Sequence, residues 1–316
     1  MENLIISTSP HFNGKTTTKT IMRDVLIALA PASVAAVILF GIKALIMICV
    51  CVTTAVLSEF LFNVITKHKQ TVTDLSAAVT GLLLALNLST KVSVWHCIVG
   101  SVFAIVVVKC FFGGIGCNFA NPAITARIFL IIAFGKVAGG AATQFASAEL
   151  VSSATPLEVI KSGEGVLPSL TDMLIGNRGG AIGETCAIAL IIGFIYLLVR
   201  RVISWETPVI FVGTVFLLSL IIKQDLTVAV YQILGGGLML GAIFMATDYV
   251  TTPANRGGRI VFALGCAVIT VLIRMWGYYP EGVSFSILFM NILSPYIEKW
   301  CTPKPFGAIK AGGAKK

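Results

Sequence analysis

Apolar residues run through this chain in long blocks, with no sustained alternation and no heptad pattern, and short polar or glycine- and proline-bearing stretches separate the blocks. A bilayer hydrocarbon core about 30 Å thick takes roughly 20 apolar residues of helix. Ten blocks on that scale occur, at approximately 22–41, 44–64, 72–89, 92–112, 122–138, 183–202, 207–223, 226–247, 259–276 and 281–299. They predict an all-α, polytopic integral membrane protein with about ten transmembrane helices. The chain then divides into an N-terminal segment 1–21, five helices over 22–138, a long loop over 139–182, five helices over 183–299 and a basic tail 300–316.

Composition supports the same class: 57% of residues are hydrophobic, 12% are charged and the mean hydropathy is +0.94, far outside the soluble globular range. The first 24 residues are polar, with Lys15, Lys19 and Arg23, and lack an apolar core followed by a small-residue cleavage site. No removable signal peptide is therefore expected.

The net charge of +9 would point to nucleic acid in a soluble protein, but here the basic residues follow topology. With the N-terminus in the cytoplasm, most of the 23 Lys and Arg residues fall on the inner side, among them Lys67, Lys69, Arg200, Arg201, Arg256, Arg259 and the tail lysines. By the positive-inside rule, both termini are cytoplasmic and the 139–182 loop is extracytoplasmic. No nucleic-acid partner is implied.

The five-plus-five arrangement suits an internal structural repeat. One echo exists: Asn121-Pro122-Ala123 with Arg127 against Thr252-Pro253-Ala254 with Arg259. The eight cysteines form no Cys-x-x-Cys pair and have no histidine at metal-ligand spacing, so small hydrophobes packed between helices are expected and no metal site is assigned.

The long loop carries Ser152-Ser153-Ala154-Thr155-Pro156. A short Ser/Thr-rich stretch ending in Ala-Thr is a site at which a threonine hydroxyl can be esterified to the phosphate of flavin mononucleotide (FMN). Thr155-Pro156-Leu157-Glu158 is also a capping box with proline at the first helical position. The two readings are compatible, since a phosphate on an N-cap threonine would lie at the positive end of a helix dipole, with Lys161 adding positive charge further along.

Ten helices, the loop between the fifth and sixth, and Ser-Ser-Ala-Thr-Pro-Leu within it resemble the D subunits of Rnf complexes, relatives of the B subunit of the sodium-pumping NADH:quinone oxidoreductase. In that family a flavin transferase attaches FMN to the last threonine of an acidic-x-x-Ser/Thr-Gly-Ala-Thr pattern. The match here runs through Glu149, Ser152, Ser153, Ala154 and Thr155, with glutamate where aspartate is usual and Ser153 where glycine is usual. The resemblance implies a subunit of a hetero-oligomeric complex in a bacterial or archaeal cell membrane. Such a complex passes electrons between ferredoxin and NAD and exports sodium or protons, and this subunit would hold covalent FMN and a second, non-covalent flavin (riboflavin). No nucleotide-binding motif occurs in the loops, so NAD and ferredoxin would dock on other subunits and this chain alone would hold no complete active site.

Ionisable residues within membrane segments are costly and usually functional or paired. Glu59 lies in the second block, Asp74 starts the third, Glu184 starts the sixth, and Asp225 and Asp248 flank the eighth. Glu59, Asp74 and Asp248 are the candidates for an ion path, while Arg127, Arg256 and Arg259 could neutralise a flavin anion or a partner's carboxylates. A stand-alone secondary transporter or channel without flavin, in which Thr155 only caps a loop helix, is the alternative.

Overall fold

The computed structural model describes residues 17–135, 155–163, 167–277, 279 and 281–302. Each of the ten apolar blocks forms helix. The first five helices are α1 (Thr18–Phe40), α2 (Ile42–Ile65), α3 (Ser76–Leu86), α4 (Val94–Cys110) and α5 (Pro122–Phe134). Two short helices follow, α6 (Pro156–Ser162) and α7 (Leu170–Ile175), and then α8 (Ala187–Val199), α9 (Glu206–Lys223), α10 (Leu226–Leu234), α11 (Leu238–Met245), α12 (Arg256–Trp276) and α13 (Val283–Cys301).

Among the described residues, α1, α2, α9 and α12 are each long and apolar enough to cross a membrane, and α10 with α11, bent by 60° at the break between them, passes the same test only as a pair. Large apolar side chains such as Ile38, Ile65, Val199 and Trp300 lie on the outside, as expected where lipid is the solvent.

The helix starts follow local rules. Thr17 caps α1 through Thr20 N, and Asn121 Oδ1 accepts from Ala123 N and Ile124 N at 3.1 and 3.3 Å, with Pro122 in the first turn of α5. Where a helix is shorter than its apolar block, a tertiary reason is visible. The third block begins with a tight turn, Val72–Asp74, and Leu75 in the left-handed region (φ 66°). Asp74 then caps α3 by accepting from Ser76 N at 2.8 Å. The sixth block starts four residues late because Ile182 N and Gly183 N donate to Leu88 O and Leu86 O at the end of α3 (2.9 and 2.8 Å).

The eighth block breaks at Gly235-Gly236-Gly237, where Gly236 has φ 65°. Unsatisfied carbonyls are costly inside a membrane, and two arginines satisfy those at this break. Arg178 donates to Leu234 O at 2.5 Å, and Arg274 donates to Gln232 O and to Gly235 O. The ends of α4 and α11 are wound as π-helix, over Phe103–Cys110 and Gly241–Met245.

One contact scheme recurs in both halves. Helix α2 packs on α3 and α4 as α9 packs on α10, α11 and α12; across the junction α1 lies on α8 and α5 on α13. A large apolar core, with Leu29, Phe40, Leu84, Leu130, Phe211 and Phe262 among its members, runs through both halves. The Asn-Pro-Ala and Thr-Pro-Ala echo is not part of this repetition. Pro122 opens α5, the last helix of its half, whereas Pro253 precedes the Asn255 cap of α12, the last but one.

Candidate functional site

Thr155 is the N-cap of α6, and its capping box is complete. Its Oγ1 accepts from Glu158 N at 3.2 Å, while its own N–H donates to Glu158 Oε2 at 2.7 Å. The hydroxyl is used only as an acceptor, so the proton that esterification would remove is not committed to a neighbour among the described residues. Glu149, Ser152, Ser153 and Ala154 lie outside the described residues.

Two side chains seat α6 on the second half. Leu157 fills the notch left by the glycines of the broken helix, so close that a Cβ on Gly236 would lie 2.7 Å from Leu157 Cδ1 and one on Gly235 3.1 Å from Leu157 Cδ2. Lys161 reaches in the same direction and donates to Gly277 O and Tyr279 O, beyond the end of α12. Its ammonium is thereby engaged in holding α6 to the carbonyls of the 277–282 connection.

The three candidate ion-path carboxylates sit in different environments. Glu59 is 2% exposed and closed by an ion pair: Lys109 Nζ donates to both its oxygens at 2.9 Å, and the Thr71 hydroxyl adds a bond at 2.6 Å. The same Lys109 donates to Ser76 Oγ at 2.6 Å, tying α2, α4 and the start of α3 together. Asp74 accepts from Ser76 N and Oγ. Asp248 has weaker partners, Thr251 Oγ1 at 3.1 Å and Val250 N at 3.4 Å, and burial pushes its carboxyl above the ordinary carboxylate range.

Asp248 also lines two adjoining clefts. One, of about 90 Å³, lies between the halves, beside Ser76, Lys109, Asn118, Asn121 and Thr247. The other, of about 280 Å³, runs past Ser204, Thr207, Thr252 and Arg259. The second is near the lower end of the range that holds small ligands, and Asn118 Oδ1 at the first is buried without a hydrogen-bond partner among the described residues.

A model of the NQR2, RnfD, RnfE family matches residues 5–307. The chain belongs to that family. It is 44% identical to the D subunit of the Na(+)-translocating ferredoxin:NAD(+) oxidoreductase complex of Acetobacterium woodii, over 98% of this chain and 96% of the relative. It is 38% identical to the D subunit of the proton-translocating ferredoxin:NAD(+) oxidoreductase complex of Clostridium ljungdahlii, over 96% of each chain. With the D subunit of the ion-translocating oxidoreductase complex of Halorhodospira halophila, identity is 34% over 96% of this chain and 95% of the relative. The family that the loop motif and helix pattern resemble is thus the one to which this member belongs.

Several pairings in this family member join residues far apart in the chain. Arg127 Nη2 reaches Glu281 Oε2 at 2.5 Å, and Arg127 Nη1 donates to Asn87 Oδ1 and Ser284 Oγ at 3.0 and 3.1 Å. Asp24 on α1 pairs with Arg200 at 3.1 Å, and Glu206 takes both Arg256 and Arg259 at 2.6 and 3.4 Å. The three arginines beside the Pro-Ala turns therefore have carboxylate partners within the chain. Glu281 is the functional candidate that the sequence pattern passed over, because it stands at the edge of an apolar block like any solvated acid; a carboxylate beside a proline and a glycine between two apolar blocks was the available signal.

Proposed function

We propose that this chain is the D-type membrane subunit of an ion-translocating ferredoxin:NAD oxidoreductase, an enzyme complex, and that it carries FMN on Thr155. The observation that carries the flavin reading is the Thr155 hydroxyl, at the N-terminus of a helix fixed to the transmembrane bundle, accepting one hydrogen bond and donating none among the described residues. FMN held there supplies one-electron relay chemistry. Thr155 offers the ester oxygen, the first turn of α6 offers the positive end of a short helix dipole, and Leu157 and Lys161 hold that helix against the second half. Glu158 on Thr155 N is a negative group at the attachment point, and it would have to yield this position to a phosphate.

The finer architecture belongs to the same reading. The ten helical blocks form ten spans in a bacterial or archaeal cell membrane, with both termini cytoplasmic and the 139–182 loop outside, where a flavin transferase meets Thr155. Other subunits of the complex bind NAD and ferredoxin. The unpaired Asn118 Oδ1 and the adjoining cleft of about 280 Å³ beside Asp248 support a second, non-covalent flavin (riboflavin) among the helices. Among the ion-path candidates, Glu59 is closed by Lys109 and Asp74 by Ser76, so Asp248, facing both clefts with weak partners, is the position for the translocated sodium ion or proton.

The test is in-gel ultraviolet fluorescence after denaturing electrophoresis, which strips non-covalent flavin and leaves an ester. The chain is produced with an active flavin transferase, as wild type and as Thr155→Ala. A fluorescent wild-type band and a dark variant band are expected. A dark wild-type band, with the transferase active on a control substrate, refutes the assignment.

A further inference from the structure

At the centre of the junction, two carboxyl groups from opposite ends of the second half meet. Glu184, 4% exposed, precedes α8, and Glu281 precedes α13 with its side chain 23% exposed. Glu184 Oε1 accepts from Ala181 N at 2.9 Å. Its Oε2 is buried and has no conventional donor. The Glu281 carboxyl lies within hydrogen-bonding reach of Glu184. Glu184 Oε2 and Glu281 Oε1 border consecutive glycines of the broken helix: a Cβ on Gly237 would be 3.1 Å from the former, and one on Gly236 3.1 Å from the latter.

Ionised carboxylates only accept hydrogen bonds, so two of them in contact repel unless one proton lies between them. The charged groups around the pair do not remove that need. Arg127, from α5, contacts Glu281 Oε2 at 2.5 Å. Arg178 spends its donors on Glu184 O, Thr185 O and Leu234 O. Arg274, from α12, directs its two terminal nitrogens to Gln232 and Gly235. Cys186 is a further titratable neighbour of Arg178 among the described residues. Arg127 Nη1 lies beside the inner oxygen of Glu184, the two atoms being 3.3 and 3.1 Å from the Cβ position of Gly237, but no guanidinium is hydrogen-bonded to that oxygen, which leaves it open to a proton.

We propose that Glu184 and Glu281 form a single proton-binding site, a carboxylic acid–carboxylate pair that holds one proton where the two helical halves are clamped. The proton enters and leaves through Glu281, the exposed member. Because Arg127 joins Glu281 to the first half, opening this contact frees Glu281 to move away from Glu184. The pair then either gives up its proton or leaves it on one residue, so proton exchange is linked to movement between the halves. This inference goes beyond the flavin reading and does not rest on it.

The experiment is infrared spectroscopy of the purified full-length chain with glutamate labelled with carbon-13 at the side-chain carboxyl, in H2O and D2O. The label separates glutamate from Asp248. The expected result is a protonated-carboxyl band that shifts with the label and with deuterium and integrates to one acid per chain. It should vanish completely in Glu184→Gln and equally in Glu281→Gln, because the introduced amide donates the bond that the proton made. No labelled acid band, an intensity of two acids, or a band that survives either substitution overturns the proposal. The wild-type intensity is decisive even where a variant fails to fold.

Discussion

Replacing Lys109 with methionine tests how the wall of the cleft between the halves is held. The substitution keeps a long apolar stem and removes the cation paired with Glu59 among the described residues, a carboxylate that is 2% exposed. The Thr71 hydroxyl at 2.6 Å remains as its donor. Stripping a buried charge of its partner costs about 3–5 kcal/mol, which lowers the thermal midpoint by on the order of 10 °C. Glu59→Gln alone strands the ammonium instead and costs a similar amount. In the double variant both charges are gone, the introduced amide still accepts from Thr71, and neutral replacements of a buried pair are often tolerated without loss. Its stability should lie within about 1 kcal/mol of wild type. The assay is thermal unfolding of the four proteins in one detergent at one pH and protein concentration, followed by loss of the monodisperse chromatographic peak. Losses in the double variant that equal the sum of the two single losses would show that the pair does not act as a unit, and would refute the reasoning.

Two glycines make opposite predictions. In Gly193→Ala the new methyl would lie 2.4 Å from Ala28 O, a backbone atom of α1, so overpacking of about 1–3 kcal/mol should outweigh the helix-propensity gain of about 1 kcal/mol and lower the midpoint. Gly213→Ala on α9 meets nothing within 4 Å and should raise it; a reversed order in the same melting assay would contradict the α1–α8 packing. On the loop side, hydrogen bonds from Ser169 Oγ at 2.5 Å and from Asn177 hold the exposed Asp172 carboxyl below the usual carboxylate range. A depressed folded value means that this support for α7 is present above the ordinary carboxylate range and is lost as pH falls through the folded value. Protection against hydrogen exchange over 169–177, taken relative to the intrinsic rate at each pH, should therefore fall on acidification, and Ser169→Ala should weaken that pH dependence.

What the sequence by itself determined is local or compositional. The ten apolar blocks are long enough to announce helices, and each contains helix, the eighth as two pieces. The capping box at Thr155 needs only residues three apart, so its two hydrogen bonds were legible from Thr-Pro-Leu-Glu alone. The family was legible because the loop motif and the spacing of the blocks are linear features.

The tertiary structure decided the rest. Lys109 finds Glu59 across 50 residues, and Arg127 finds Glu281 across 154. No periodicity records such partners, because a charge in an apolar segment declares only its cost. The helix break at Gly235–Gly237 is tolerable because Arg178 and Arg274 arrive from elsewhere to take its carbonyls. Lys161 looked like a charge available to a phosphate and is instead bound to the carbonyls of Gly277 and Tyr279. The carboxyl pair at the junction depends on two connections at opposite ends of the second half that only the packing of its helices brings together. Short-range hydrogen bonds are written into neighbouring residues, whereas the pairing of buried charges is selected by which helices share an interface.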